Sequence, residues 1–306
     1  LIKLPFMRRT VSQRFYDSPN SIEGRIFVVG CPRSGTTLLQ RLISNHPEIT
    51  SFPESKFYQR LVDSKSQRAR YGIVSKRARE TVSSFLELIE SEELLYLFPS
   101  RIAFVSEYSS AFVKVLDILS IQSGSSYWLE KTPAHLHYID LIKKLVHKAK
   151  FVHIVREPLD VVASLYEVNL KYPELWWGSA DIDRCIERWL HDVEITKRYS
   201  ILGQDLYITY EELTQQTEAT LENVCKFIGV EFTSEMLTLK NEETIKLVRK
   251  SEAWKARTNQ PIAYTKHEKF NRIFNDHQKE RICDSLLMAD LSFLPESYKT
   301  NIVSYF

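Results

Sequence analysis

The chain has 306 residues, 43% of them apolar, and a formal net charge of +2. This size permits one large domain or two small ones and the apolar content an ample core, and near-neutrality argues against a surface built for broad nucleic-acid binding, so any cationic site must be a local pocket. Four widely spaced cysteines (Cys31, Cys185, Cys225, Cys283) form no Cys-x-x-Cys pair, which argues against a zinc site or a disulfide framework and suits a reducing cytoplasm. No apolar run approaches the roughly 18–20 residues of a membrane span, and no signal peptide is visible from Leu1 onward.

Residues 1–24 carry Lys3, Arg8, Arg9 and Arg14 and the turn cluster Asp17-Ser18-Pro19-Asn20, and are taken as an N-terminal arm. Ile26-Phe27-Val28-Val29 then has the length and β-branched content of a buried parallel strand. It breaks at Gly30, and Pro32 and Gly35 hold a tight loop. Thr36 and Thr37 open an amphipathic helix with Leu38, Leu39, Leu42 and Ile43 on one face. A strand feeding a glycine-containing loop and a helix N-terminus is an anion cradle, because backbone N–H groups converge there and the helix dipole adds a positive field. The guest it fits is a phosphate or a sulfate. Gly30 and Gly35 have the spacing of a nucleotide-hydrolysing P-loop, but Thr36 stands where that loop needs Lys, and the only cation is Arg33.

A second short strand is expected over 49–52, with Pro53 and Glu54 directly after it. Residues 55–125 read as a helical segment whose aromatics are mainly core candidates, and the basic run between Arg60 and Arg79 reads as a solvated face. Tyr127-Trp128-Leu129-Glu130 makes a strand ending at Lys131-Thr132-Pro133, and a helix follows. Residues 151–155 make another buried strand, whose carboxyl end delivers Arg156, and Pro158 starts the next helix. Further elements are a helix over 181–199, a strand over 206–210, a helix over 211–228 stopped by Gly229, and a last helix around 277–288. Strands alternating with helices predict an α/β fold: a single-domain, doubly wound parallel sheet flanked by helices over 25–306. Ligands in such folds sit at the carboxyl ends of the strands, where Arg33, Lys131, Arg156 and Tyr210 all fall.

These stretches resemble the sulfotransferases that use 3′-phosphoadenosine 5′-phosphosulfate, and the likeness runs from about residue 26 to at least Gly229. The resemblance implies the P-loop-like sulfotransferase fold. Cys31-Pro32-Arg33-Ser34-Gly35-Thr36-Thr37 is similar to the family's 5′-phosphosulfate loop, so Arg33, Ser34, Gly35, Thr36 and Thr37 are implied donor contacts. Arg156 and Ser164, eight residues apart, look like its 3′-phosphate pair. With Arg in the loop, the sequence is closer to the tyrosylprotein and bacterial members than to the cytosolic ones. In the tyrosylprotein type a catalytic Glu lies twenty-one residues after the loop Arg, which implies Glu54 as general base. Lys131 matches the second active-site cation, Tyr210 the tyrosine that contacts the adenosine, and Lys269, with Pro261, a late 3′-phosphate contact. Leu38 occupies the site where cytosolic members stack a Trp on adenine.

The implied reaction is sulfuryl transfer from that nucleotide, leaving 3′,5′-adenosine bisphosphate, to a hydroxyl or amine of a small-molecule acceptor of the natural-product kind. No metal, nucleic acid or membrane is expected to take part, and the setting is expected to be cytoplasmic. The helical segment 55–125 and the loop 172–177 are candidates for the acceptor wall and a lid. His135 is the runner-up base. The alternatives are a small-molecule kinase with a degenerate P-loop, a protein or glycan sulfotransferase, and a non-catalytic nucleotide-binding module.

Overall fold

A computed structural model of the protein describes residues 21–63, 67–174, 176, 181–238 and 266–306. Five strands form one parallel sheet: β1 (Gly24–Val29), β2 (Ile49–Phe52), β3 (Tyr127–Lys131), β4 (Ala149–Val155) and β5 (Leu206–Thr209), in the spatial order β2-β3-β1-β4-β5. The apolar runs predicted from sequence are these strands. Tyr210 is the exception, because it opens a helix: Thr209 caps that helix, its Oγ1 accepting from the Glu212 N–H at 3.1 Å.

Successive side chains of a strand point to opposite faces, and here each face has its own core. Phe27, Val29, Trp128 and Phe151 join Phe57, Tyr58, Phe85 and Phe112 in one cluster. Ile26, Val28, Leu129, Val152 and Ile154 join Leu38, Leu42, Leu221 and Val224 in another. A sheet covered on both faces explains why its strands read as continuous apolar runs. A third cluster packs the helices Pro158–Lys171 and Ile182–Ile201 against the C-terminal helices.

Three expectations change. The segment 55–125 is broken into the helices Phe57–Leu61, Gln67–Arg70, Ala78–Leu88 and Val105–Gln122, with a 3₁₀ turn at Glu92–Leu97. Its aromatics Phe57, Tyr58, Phe85, Phe98, Tyr108 and Phe112 are core, whereas Tyr71, Tyr96 and Phe104 are exposed. The helix expected over 211–228 splits at Gln216 into Tyr210–Gln215 and Thr217–Ile228, with Gly229 closing it in a left-handed conformation (φ 94°). The helix Asp276–Leu287 is not the last, because Glu296–Val303 follows and buries Tyr298 and Ile302. That helix is short and weakly amphipathic, so its sequence carries little periodic signal. Most of the arm, Pro261, and Leu175 and Trp177 of the proposed lid lie outside the described residues.

Candidate active site

The loop between β1 and the helix Thr36–Ser44 is built on backbone conformations that few residues tolerate. Gly30 (φ 154°) lies so close to β4 that a Cβ there would collide with the Ile154 carbonyl oxygen. Arg33 (φ 76°) and Gly35 (φ 95°) turn the chain, and the Ser34 N–H donates to the Cys31 carbonyl at 3.1 Å. Gly35 occupies the N-cap position and no side chain caps the helix there. The first-turn N–H groups therefore face the loop with the positive end of the helix dipole behind them. Ser34 is fully buried, and its Oγ has no hydrogen-bond partner among the described residues. A buried orphan hydroxyl beside a helix N-terminus fits an anion's oxygen.

The loop is tied to β4 and β5 by one ring. A Cβ at Gly35 would run into Tyr210, and the guanidinium carbon of Arg156 lies 4.4 Å from the centroid of that ring. Arg156 also donates to Asp160 at 2.9 Å, while its Nε has no partner among the described residues. Burial works against its charge, but Asp160 and Tyr210 outweigh that and hold its pKa above the ordinary value.

Arg33 and Ser164 meet. Arg33 Nε donates to Ser164 Oγ at 3.1 Å, and Lys269 Nζ approaches the same hydroxyl at 3.5 Å. Sequence reasoning had assigned Arg33 and Ser164 to opposite ends of one ligand. In the structure their side chains touch, and Lys269, implied at the 3′-phosphate, approaches the same hydroxyl. Burial, reinforced by Arg156, pulls the Arg33 pKa down to about 10 against the pull of Glu167. Glu167 itself pairs with Lys269 (2.7 Å), Lys171 (3.1 Å) and Arg272 (3.1 Å). Burial pushes its carboxyl up, but Lys269 and Lys171 prevail and bring it to about 2. Cations crowd this corner faster than carboxylates neutralise them, so it favours an anion.

The second half of the site is a buried ion pair. Lys131, at the end of β3, pairs with Glu54, which follows β2, and its Nζ lies 3.4 Å from Thr37 Oγ1. Lys131 is 1% and Glu54 8% exposed. Adjacent strands β2 and β3 thus bring two residues 77 positions apart into contact, and Thr37 links the pair to the anion loop.

His135 is not placed to take a proton. It is fully buried in the 3₁₀ turn Pro133–Tyr138, with Nδ1 2.8 Å from Glu130 Oε2 and Nε2 accepting from the Tyr58 N–H at 3.2 Å. Sequence reasoning missed Glu130, Asp160 and Glu167, the carboxylates that hold the site's walls. One signal was available: Glu130 directly follows the apolar residues Tyr127, Trp128 and Leu129 in a buried strand, where only a satisfied carboxylate survives.

Among the described residues, one group has metal-ligating types close together: His137, His191 and Asp192. The Asp192 carboxylate is committed to Arg188 (2.7 Å) and His137 (2.9 Å). Burial, with Asp192 adding to it, pushes the neighbouring Cys31 thiol well above its usual range, so it stays protonated. The four cysteines are free and buried.

The fold has counterparts among known proteins. The sulfotransferase domain of the Synechococcus PCC 7002 olefin synthase superposes with a TM-score of 0.58 at 19% identity, covering 89% of this chain and 97% of that domain. The sulfotransferase domain from the curacin biosynthetic pathway gives 0.53 at 19% identity, covering 83% and 97%. A protein-tyrosine sulfotransferase of Drosophila melanogaster is 24% identical over 229 residues, 74% of this chain and 42% of its own length. An uncharacterized protein of Aquifex aeolicus is 29% identical over 206 residues, 66% of this chain and 25% of its own. This chain therefore spans less than half the length of either curated relative. Residues 25–234 match the model of the sulfotransferase family, and the chain belongs to that family.

Proposed function

We propose that the protein transfers a sulfuryl group from 3′-phosphoadenosine 5′-phosphosulfate to a hydroxyl or amine of a small-molecule acceptor. One observation carries this reading. The stretch 33–37 touches Ser164 through Arg33 at one end and Lys131 through Thr37 at the other, so a single loop joins the cation cluster to the Glu54–Lys131 pair. The buried Ser34 hydroxyl, the orphan Arg156 Nε and the close-packed Gly35 fit a doubly phosphorylated nucleotide.

In this reading the helix N-terminus and the hydroxyls of Ser34, Thr36 and Thr37 hold the 5′-phosphate. Arg156, Ser164 and Lys269 hold the 3′-phosphate and so select this donor over ATP. Tyr210 carries Arg156 and lies beside the adenosine. The donor supplies an activated sulfuryl group, and transfer needs positioning and positive charge where negative charge develops. Lys131 and Arg33 provide that charge, and Glu54 accepts the acceptor's proton. Lys131 pairs with the Glu54 carboxylate and holds it beside the loop. No step calls for a metal.

The fold likeness to domains from an olefin synthase and from the curacin pathway supports a small-molecule acceptor of the natural-product kind. The buried, unpaired cysteines support a cytoplasmic setting. Segment 55–125, directly after Glu54, is the proposed acceptor wall. The relatives named as protein-tyrosine sulfotransferases favour a second reading, a tyrosine in a polypeptide, with the same donor and the same Glu54.

A thermal-shift comparison tests the donor. 3′,5′-Adenosine bisphosphate is expected to raise the melting temperature and magnesium-ATP is not. Stabilisation by magnesium-ATP alone would replace this reading with a kinase.

A further inference from the structure

Glu130 sits one residue before Lys131 and is completely buried, with its side chain spent on the segment that carries Glu54. Glu130 Oε1 accepts from the Ser55 N–H (3.0 Å), from Ser55 Oγ (2.7 Å) and from Thr132 Oγ1 (2.6 Å). Its Oε2 faces His135 Nδ1 at 2.8 Å. The three partners pass the connection on. Thr132 Oγ1 accepts from the Lys56 N–H (3.1 Å), Ser55 Oγ from the Phe57 N–H (3.1 Å), and His135 Nε2 from the Tyr58 N–H (3.2 Å).

Four consecutive backbone donors, Ser55 to Tyr58, therefore end on one carboxylate or on groups that it orients. Three of them, on Lys56, Phe57 and Tyr58, are among the donors that the start of the helix Phe57–Leu61 leaves without intrahelical acceptors. Lys56 stands at the cap position in a left-handed conformation (φ 54°) and supplies no side-chain cap. The cap comes instead from the far side of the β2–β3 pair, and its anchor is the residue next to Lys131.

We propose that Glu130, acting through Ser55, Thr132 and His135, is a positioning residue that sets where Glu54 stands relative to Lys131. The polarity of the network is fixed by geometry. Nε2 of His135 receives an N–H and so carries a lone pair, which puts the ring proton on Nδ1, toward Glu130. Thr132 and Ser55 spend their hydroxyl protons on Glu130 and offer lone pairs to the Lys56 and Phe57 N–H groups. A carboxylate is the one side chain at position 130 that can accept from all of them. An amide there would turn an N–H toward another donor, either His135 Nδ1–H or the Ser55 and Thr132 hydroxyls. Relief requires moving the helix start, and with it Glu54. Misplacement of a reacting group by about 1 Å costs on the order of a hundredfold in rate.

The inference rests on the sulfuryl-transfer reading for its effect on rate, but the clamp has a readout of its own. Hydrogen exchange of the Ser55–Tyr58 amides is compared between the unsubstituted protein and Glu130→Gln, together with kcat, KM for the donor, and the dissociation constant of 3′,5′-adenosine bisphosphate. Expected are faster exchange confined to residues 55–58, kcat down about 10- to 100-fold and unchanged bisphosphate binding, with partial recovery of kcat in Glu130→Asp. Unchanged exchange at 55–58 overturns the clamp. Faster exchange with unchanged kcat overturns its positioning role. Where Glu130→Gln does not fold, Ser55→Ala removes one hydroxyl from the network, and the same two measurements apply. A wild-type protein that binds no bisphosphate and transfers no sulfuryl group defeats the functional reading alone, because the exchange comparison still decides the clamp.

Discussion

The two halves of the site solve opposite electrostatic problems. Around Ser164, Arg33 and Lys269 share one hydroxyl, Arg156 stands near enough to depress the Arg33 pKa, and three cations draw on the single Glu167. Around Thr37, one Lys meets one Glu in a nearly closed pair. The first arrangement holds surplus positive charge, which an anion relieves on binding. The second is neutral as a unit, its carboxylate paired with Lys131. In the proposed reaction the surplus charge serves donor binding and the paired carboxylate serves proton acceptance.

The sharpest way to break this contrast is Glu54→Gln. Loss of a general base is expected to cost on the order of 10²–10⁴ in turnover, with bisphosphate affinity nearly unchanged by calorimetry. Near-normal turnover would move the base elsewhere. Arg156→Ala tests the other half with the reverse signature. Loss of charge-assisted contacts is expected to weaken bisphosphate binding about 10- to 100-fold and to raise the donor KM, with less effect on kcat at saturation. An unchanged KM would remove Arg156 from the 3′-phosphate role.

Gly35→Ala probes the joint between the halves. The substitution forces a side chain into the Tyr210 ring at a φ that L residues avoid, and about 1–3 kcal/mol of destabilisation is expected. Tyr210 should shift from Arg156 as it does so. Denaturant unfolding and bisphosphate titration report the two effects, and wild-type values in both would show that the loop tolerates a Cβ.

The smallest expected effect is a pH dependence confined to the cation corner. The folded-state pKa of Glu167, about 2, lies below its ordinary 4.5. Between those values the unfolded chain binds more protons, so stability rises with pH there and is lost as pH falls toward 2. Glu167→Gln should flatten that acid limb of the unfolding curve. An unaltered limb would mean that Glu167 is not held by its lysines in solution.

Much of this was legible in the chain because it is local. The Gly30 and Gly35 spacing, Pro32 and the apolar run before them dictate a strand, a tight loop and a helix start, since few other residues tolerate those dihedral angles. The central strands β1, β3 and β4 were legible as apolar runs because burial on both faces leaves little polar alternation to misread, whereas the edge strands β2 and β5 carry Thr and Ser among their apolar residues. The less legible parts depended on partners distant in sequence. Whether Phe57 or Tyr71 is core depends on which segment packs over it.

The sequence alone determined the α/β alternation, the anion loop and the set of strand-end residues that line the site, because each follows from side-chain chemistry over a few neighbouring positions. Tertiary structure alone decided that Arg33 reaches Ser164, that Lys131 meets Glu54, and that Glu130 turns inward to cap a helix from the neighbouring strand. Those contacts depend on strand order. The β2-β3-β1 arrangement sets residues 54 and 130 side by side, and no local pattern records which strands will be neighbours.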